Sequence, residues 1–288
     1  MPVLACRSEL EVGNVYVYAD VGRSGLANLL FPWARAEIFR AKHNLPMLAP
    51  QWTQLKIGPL LRGEKDLRLY MGLFSNDGYV RGLRKMLLLR RAERVPEAEA
   101  EAFLARNGSR APKSTLLTFA WTLGVFPGWD VWFEPLIRHR DMVARRLYEM
   151  CTPTIRQLIE AQPVDYEIAV HVRRGDRPAA ELGEPMTEHN WHKGHSEQWF
   201  VNTINEIRRA LGRDAKVKLF SDAKPEQIPT LLAMKDVVLA PENPSIVDIF
   251  MLSKAKVVIA TGTSSFSAWA VYLGGMPSLW YPGTAFRS

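Results

Sequence analysis

The most concentrated chemistry in the chain lies in six consecutive residues, His171-Val172-Arg173-Arg174-Gly175-Asp176. Two adjacent guanidiniums at the end of an apolar run offer planar, bidentate donors, the geometry that grips a diphosphate. Asp176 can orient one of them. Against this stands the plainer reading of a solvated turn with a surface ion pair, since Arg-Gly-Asp is common in unrelated loops. A second segment, Thr261-Gly262-Thr263-Ser264-Ser265-Phe266-Ser267, falls between a strand-like and a helix-like run. Backbone amides at a helix start, joined by small hydroxyls, make an anion site there, while simple N-capping by Ser264 or Ser265 would use the same residues. Asp222 reads most simply as a turn residue. Asp248, three residues after Ser245, reads as the acidic member of a capping box. Gly22-Arg23-Ser24-Gly25-Leu26-Ala27-Asn28 is a glycine turn ahead of a helix, but neither Gly-x-Gly-x-x-Gly nor a P-loop.

His189, His192 and His195 invite a zinc reading, yet no Cys or close pair of carboxylates completes a ligand set, and Asp-x-Asp does not occur. Divalent metal is therefore not demanded, because arginines can neutralise a departing diphosphate.

Elements must bring these groups together. Tyr166 to Arg173 alternates, with Ile168, Val170 and Val172 on one face and Ala169, His171 and Arg173 on the other, which is a strand. Trp199, Phe200, Thr203, Ile204, Ile207 and Leu211 recur at helical spacing, and Gly212 supplies the stop. Apolar runs at 217–220, 237–239, 257–260 and 278–281 then alternate with helical segments near 225–233, 245–254 and 265–273. Repeated β-α alternation predicts a parallel sheet covered on both faces, with ligands outside the carboxyl ends of its strands. Four successive strand ends carry Arg173 to Asp176, Ser221-Asp222, Pro241-Glu242-Asn243 and Thr261 to Ser265, so complementary groups for one anion converge on one rim.

The first half is less regular. Asn14 to Asp20 reads as a buried strand, followed by the glycine turn and a helix through Leu26, Leu29, Leu30, Trp33, Ile38 and Phe39. From 60 to 110 the pattern indicates helices and connections without definable boundaries. Pro153 and Pro163 bracket the end of a long helical stretch that starts near Pro135, which places a domain junction at 163.

The 288 residues, 47% hydrophobic and 23% charged, exclude a disordered tail and a collagen-like repeat. Cys6 and Cys151 cannot form a disulfide framework, so a reducing compartment is expected. No signal-length apolar run follows the N-terminus and no stretch has the length of a membrane span, which predicts a cytoplasmic protein. The net charge of +7 favours anionic partners without choosing among phosphates, nucleic acid and a membrane surface. Arg81, Arg84, Lys85, Arg90, Arg91 and Arg94 surround Met86-Leu87-Leu88-Leu89. Such a segment fits an anionic membrane, an acidic acceptor, or a helix with one buried and one solvated face. Trp121, Trp129 and Trp132 would stack on sugars or pack internally.

Taken together, these segments resemble the GDP-fucose-dependent fucosyltransferases, the α-1,2 and α-1,6 families and their protein O-fucosylating relatives. The early glycine turn and helix look like Gly22 to Ala36, although the α-1,2 enzymes read Gly-Leu-Gly-Asn-Gln where this chain has Gly25-Leu26-Ala27-Asn28-Leu29. The central His-x-Arg-Arg-x-Asp signature is matched by His171 to Asp176. The last motif looks like Asp248 to Ser253 followed, after the 257–260 strand, by Thr261 to Ser267.

The resemblance implies a GT-B architecture in the α/β class: two Rossmann-like domains facing a cleft, 1–163 on the acceptor side and 164–288 binding the donor nucleotide. It implies that Arg173 and Arg174 grip the β-phosphate of GDP, that His171 and Asp248 help recognise the guanosine, and that Thr263, Ser264 and Ser265 contact phosphate. Asp176, Asp222, Gly25 and Asn28 complete the donor-side candidates. Reaction is expected by inversion, with no metal and no cofactor beyond the nucleotide-sugar donor. The α-1,6 enzymes have a basic residue and then, ten residues after the signature His, a Glu proposed to deprotonate the acceptor. Arg177 and Glu181 fall at those positions, with Glu184 as the alternative base. The expected acceptor is a glycan or glycolipid hydroxyl, with peripheral contact at the inner membrane face left open and no nucleic-acid partner. The rival readings are a GT-B transferase for another nucleotide sugar and a non-catalytic nucleotide- or nucleic-acid-binding protein.

Overall fold

The structure is a computed structural model that describes residues 14–53, 69–121, 132–175, 177–178, 180–184, 193–262 and 264–281. The chain divides into two compact units, one formed by Met1–Gly22, Pro32–Gln51 and Asn76–Trp121, the other by Arg23–Phe31, Trp52–Ser75 and Thr122–Ser288. The division passes through helix α1 (Leu26–His43), between Phe31 and Pro32. Residue 163 lies inside the second unit's longest stretch, in the connection between helix α5 (Pro153–Ala161) and strand β4 (Ile168–Val172).

The first unit carries a three-stranded parallel sheet in the order β1-β3-β2, from β1 (Val15–Asp20), β2 (Glu93–Pro96) and β3 (Thr115–Ala120). Between β1 and β2 runs helix α2 (Gly82–Arg91), and α3 (Glu97–Asn107) joins β2 to β3. β1 reads Val-Tyr-Val-Tyr, β-branched and aromatic residues that fit a pleated, covered surface. Tyr16, Tyr18, Leu48, Leu88 and Leu116 form one buried cluster. Strand β2 emerges from the 60–110 stretch that sequence patterning leaves undivided, and β3 lies beyond it, in residues given no element. Glu93-Arg94-Val95-Pro96 has one buried side chain, and Thr115 to Ala120 is too short to separate strand from helix by periodicity.

In the second unit, α4 (Arg140–Met150) and α5 precede a five-stranded sheet, and the break between them at Cys151-Thr152 puts Pro153 at the first position of α5. A proline is tolerated there because its missing N–H would have had no helical partner. The sheet is built from β4, β5 (Val217–Ser221), β6 (Val237–Leu239), β7 (Val257–Ala260) and β8 (Ser278–Trp280), all parallel, in the order β6-β5-β4-β7-β8. The chain runs outward from β4 to β5 and β6, then crosses to the other side of β4 for β7 and β8. The order therefore reverses between β4 and β7, the topological switch point where open α/β sheets bind ligands.

β4 reads Ile-Ala-Val-His-Val and is buried throughout, as a central parallel strand must be. Its Ile168, Val170 and Val172 pack with Phe200, Val201 and Ile204 of helix α6 (Glu197–Leu211). Gly212 ends that helix in the left-handed region at φ 66°. The alternate face carries His171, which meets helix α9 (Ser265–Gly274). Helices thus cover both faces, and the molecule is a mixed α/β fold with parallel sheets. The segment near 225–233 is a 3₁₀ turn at Pro225–Gln227 followed by the one-turn helix α7 (Pro229–Leu232), and α8 (Ser245–Leu252) joins β6 to β7. Trp132 packs on Phe31 at 5.1 Å, within an aromatic cluster that includes Phe133, Trp269 and Tyr272. Among the described residues, no helix is long and apolar enough to cross a membrane.

Candidate functional site

The arginine pair leaves the sheet at the carboxyl end of β4, and Asp222, just beyond β5, holds it in place. Asp222 Oδ1 accepts the N–H groups of Arg174 at 2.7 Å and Gly175 at 2.9 Å, and its Oδ2 pairs with Arg173 Nη1 at 2.5 Å. Burial works against ionisation of this carboxyl. The Arg173 charge and the two N–H bonds outweigh it and hold the carboxyl below the usual carboxylate range. The approach requires Gly175, because a Cβ there would lie 2.8 Å from the Asp222 carbonyl oxygen. Gly194 is equally constrained: its Cβ would lie 2.8 Å from the Arg173 carbonyl oxygen. Asp222 is therefore more than a turn residue, since it sets the shape of the arginine loop.

Opposite lies the loop after β7. Thr261 Oγ1 accepts the Arg173 N–H at 3.1 Å and donates to the His171 carbonyl at 2.6 Å, stitching the ends of β4 and β7 together at the switch point. His171 Nδ1 lies 2.6 Å from Ser267 Oγ, and its ring stacks on Phe266 at 4.8 Å. Burial pushes His171 down to about 3, so the imidazole is neutral at ordinary pH. Ser264 is the N-cap of α9 but makes no side-chain cap bond, so its hydroxyl is not used for capping. Ser265 opens the helix beside it, presenting amides and a partial positive charge to the same rim.

His195 joins the two loops. Its Nε2 accepts the Gly262 N–H at 2.7 Å, and its carbonyl lies 3.5 Å from Arg174 Nη1. The ring is stacked on Tyr281 at 4.1 Å and edges onto Trp199 at 5.6 Å. Burial lowers it to about 3 as well, which makes it a neutral acceptor. Among the described residues no three His, Cys, Asp or Glu side chains are grouped as metal ligands, and His189 and His192 lie outside those residues.

Asp248 lies in α8, the helix that joins β6 to β7. The helix N-cap is Pro244 rather than Ser245, so Asp248 is not the acidic member of a capping box. Its Oδ1 accepts from Asn243 Nδ2 at 2.9 Å, and Asn243 in turn is bonded by Gln162 Nε2 at 2.7 Å. Burial pushes the Asp248 carboxyl up to about 7, against the opposing pull of the Asn243 bond.

Glu181 is exposed, and its N–H donates to Glu184 Oε2 at 3.0 Å. Glu184 is engaged a second time by Lys193 at 2.6 Å, which leaves Glu181 as the less committed carboxylate. Asn28 Nδ2 donates to Ser24 Oγ at 2.7 Å, and the Asn28 N–H to the Gly25 carbonyl at 2.9 Å, local bonds that shape the start of α1. In that turn Gly22 takes positive φ, 67°, whereas a Cβ at Gly25 would meet nothing within 4 Å. Asp176 and Thr263 lie outside the described residues.

The structure thus brings together His171, Arg173, Arg174, Asp222 and Ser264, with Ser265 beginning α9 beside them. Gly194 is a site-forming residue that the sequence does not single out, and His195, weighed in the sequence only as a zinc ligand, accepts the Gly262 N–H. Thr261 and Ser267 fall in the hydroxyl loop and Asn243 at a strand end that the sequence already marks, but the bonds of Thr261, Ser267 and His195 reach partners far off in the chain that no local spacing signals.

No protein-family model and no curated protein matches the chain. Solved structures do. POFUT1 in complex with GDP-fucose has a TM-score of 0.56 at 12% identity, covering 93% of this chain and 99% of that one. The fucosyltransferase NodZ from Bradyrhizobium has a TM-score of 0.51 at 15% identity, covering 94% and 96%. FUT1 of Arabidopsis thaliana in complex with GDP has a TM-score of 0.51 at 12% identity, covering 94% and 71%. At these identities the likeness is one of fold, and it extends along nearly the whole chain.

Proposed function

We propose that the chain is an inverting glycosyltransferase that takes its sugar from a guanosine diphosphate donor, GDP-fucose foremost, and transfers it to a hydroxyl of a glycan or glycolipid. The observation that carries this reading is the arginine pair locked by Asp222 and facing the Thr261 to Ser265 loop at the switch point of a parallel sheet. The fold likeness to structures solved with GDP and GDP-fucose supports the choice of donor.

In this reading Arg173 and Arg174 neutralise the charge that grows on the departing diphosphate, and the amides and hydroxyls at the start of α9 share it. No metal is needed for that step. His171 and Asp248 face the guanosine. Glu181 takes the proton of the acceptor hydroxyl as its oxygen attacks the anomeric carbon, and the bond to the diphosphate oxygen breaks on the opposite side of the sugar, inverting its configuration. The proposal includes a GT-B arrangement of Rossmann-like domains, with 164–288 holding the donor and 1–163 serving the acceptor, in a cytoplasmic protein.

Release of GDP from GDP-fucose, measured in the presence of a chelator, tests the assignment. Arg173→Ala is expected to lower turnover on the order of 10² to 10³. Glu181→Gln is expected to lose transfer while keeping GDP affinity. Unchanged turnover by Arg173→Ala would overturn the site, and preference for GDP-mannose would redirect the sugar.

A further inference from the structure

The surface of the first unit carries a feature that nucleotide binding does not use. α2 turns Leu88 into the cluster of Tyr16, Tyr18, Leu48 and Leu116 and leaves Leu83, Met86 and Leu87 outside, exposed by 70, 57 and 43%. Scattered exposed aliphatic side chains are ordinary, but these three are neighbours. At about 100° per residue, positions i, i+3 and i+4 share one face, and Arg84, Arg90 and Arg91 fall within or beside the same arc.

The charges around this face are unbalanced. Residues 81–94 hold Arg81, Arg84, Lys85, Arg90, Arg91 and Arg94 against the single acid Glu93. Arg84 is steadied by Tyr16, donating to its hydroxyl at 2.7 Å and lying 5.5 Å over its ring. Arg94 lies over Tyr18 and 4.0 Å from Asp20. Arg90 and Arg91 have no ion-pair partner among the described residues. Of the three acids on the next helix, Glu97 is paired with Arg35 at 2.8 Å and Glu101 with Lys42 at 2.6 Å, which leaves Glu99 as the one exposed acid there without an ion pair among the described residues.

We propose that α2 docks the protein on the surface of an anionic lipid bilayer. Three aliphatic side chains would enter the boundary between headgroups and acyl chains while the arginines stay level with the lipid phosphates. A nucleic acid would take up the arginines but leave Leu83, Met86 and Leu87 in water. A second copy of the chain would set one arginine-rich face against another. The helix is one of ten residues, so the attachment is shallow, reversible and sensitive to salt. This proposal is independent of the nucleotide site.

Sedimentation with vesicles of phosphatidylglycerol in phosphatidylcholine, against phosphatidylcholine alone, tests it on the full chain. The wild type is expected to bind the anionic vesicles preferentially. Arg90→Glu with Arg91→Glu, and separately Leu83→Ser with Met86→Ser and Leu87→Ser, should each weaken that binding by about tenfold or more. All five side chains are exposed, and unchanged thermal melting of each variant verifies folding. Equal binding to neutral vesicles, or no binding, would overturn the proposal. So would full binding by the Leu/Met variant, or tighter binding of a mixed-sequence DNA duplex than of vesicles. A wild-type dimer that the Leu/Met variant converts to monomer would reassign the face to self-association. GDP calorimetry on the same variants reads the nucleotide site separately.

Discussion

Asp248 shows how one residue's surroundings translate into a measurable property. Burial holds its carboxyl near 7, whereas in an unfolded chain it titrates near about 3.9. Between those values the folded protein retains a proton that the unfolded chain has lost. The contribution of this group to stability is thus most favourable in acid and falls as pH rises through 7. Asp248→Asn removes the dependence. The variant is expected to be more stable than the wild type at pH 8, by roughly 1–3 kcal/mol, and to match it near pH 4. Denaturant titrations at the two pH values check this, and parallel behaviour of the two proteins would contradict it. His171 and His195 work in the opposite sense, since each is held neutral at about 3 and costs stability as pH falls below its unfolded value. Because both proteins carry them, their effect cancels in the comparison.

At the scale of elements, the site depends on loops that fit at close range. A Cβ at Gly175 would crowd the Asp222 carbonyl oxygen at 2.8 Å, so Gly175→Ala must separate the arginine loop from the carboxylate that shapes it. That change is expected to weaken GDP binding by about tenfold or more with little loss of thermal stability. Calorimetry with GDP checks this, and wild-type affinity in Gly175→Ala would contradict the role given to Gly175. The β-α alternation from 166 onward was legible in the sequence because its strands are apolar runs and its helices carry helical spacing. Arg173 and Arg174 were legible too, as paired charges at a strand end. Asp222's hold on Arg174, His195's bond to Gly262 and the His171–Ser267 pair were not, because they join residues 48, 67 and 96 positions apart. Short strands such as β2, with charged residues beside its single buried valine, also leave no periodic signal.

At the scale of the whole molecule, the net charge of +7 acquires an address. Part of it stands at the strand ends of the second unit, where Arg173 pairs with Asp222, and part lies on α2, where exposed leucine and methionine accompany it. The two sheets are each parallel and each built from short βα units, the framework that leaves strand ends and helix starts available for binding. The charge total alone could not separate a phosphate grip from a lipid-facing patch; the lipid proposal rests on the exposure of three aliphatic side chains on α2. Isothermal titration with GDP, UDP, ADP and CMP in the presence of a chelator tests the nucleotide assignment most directly. GDP is predicted to bind the wild type without metal, at least about tenfold more tightly than the other three, and to lose that affinity in Arg173→Ala. Equal binding of all four nucleotides, or GDP affinity unchanged by Arg173→Ala, would contradict it.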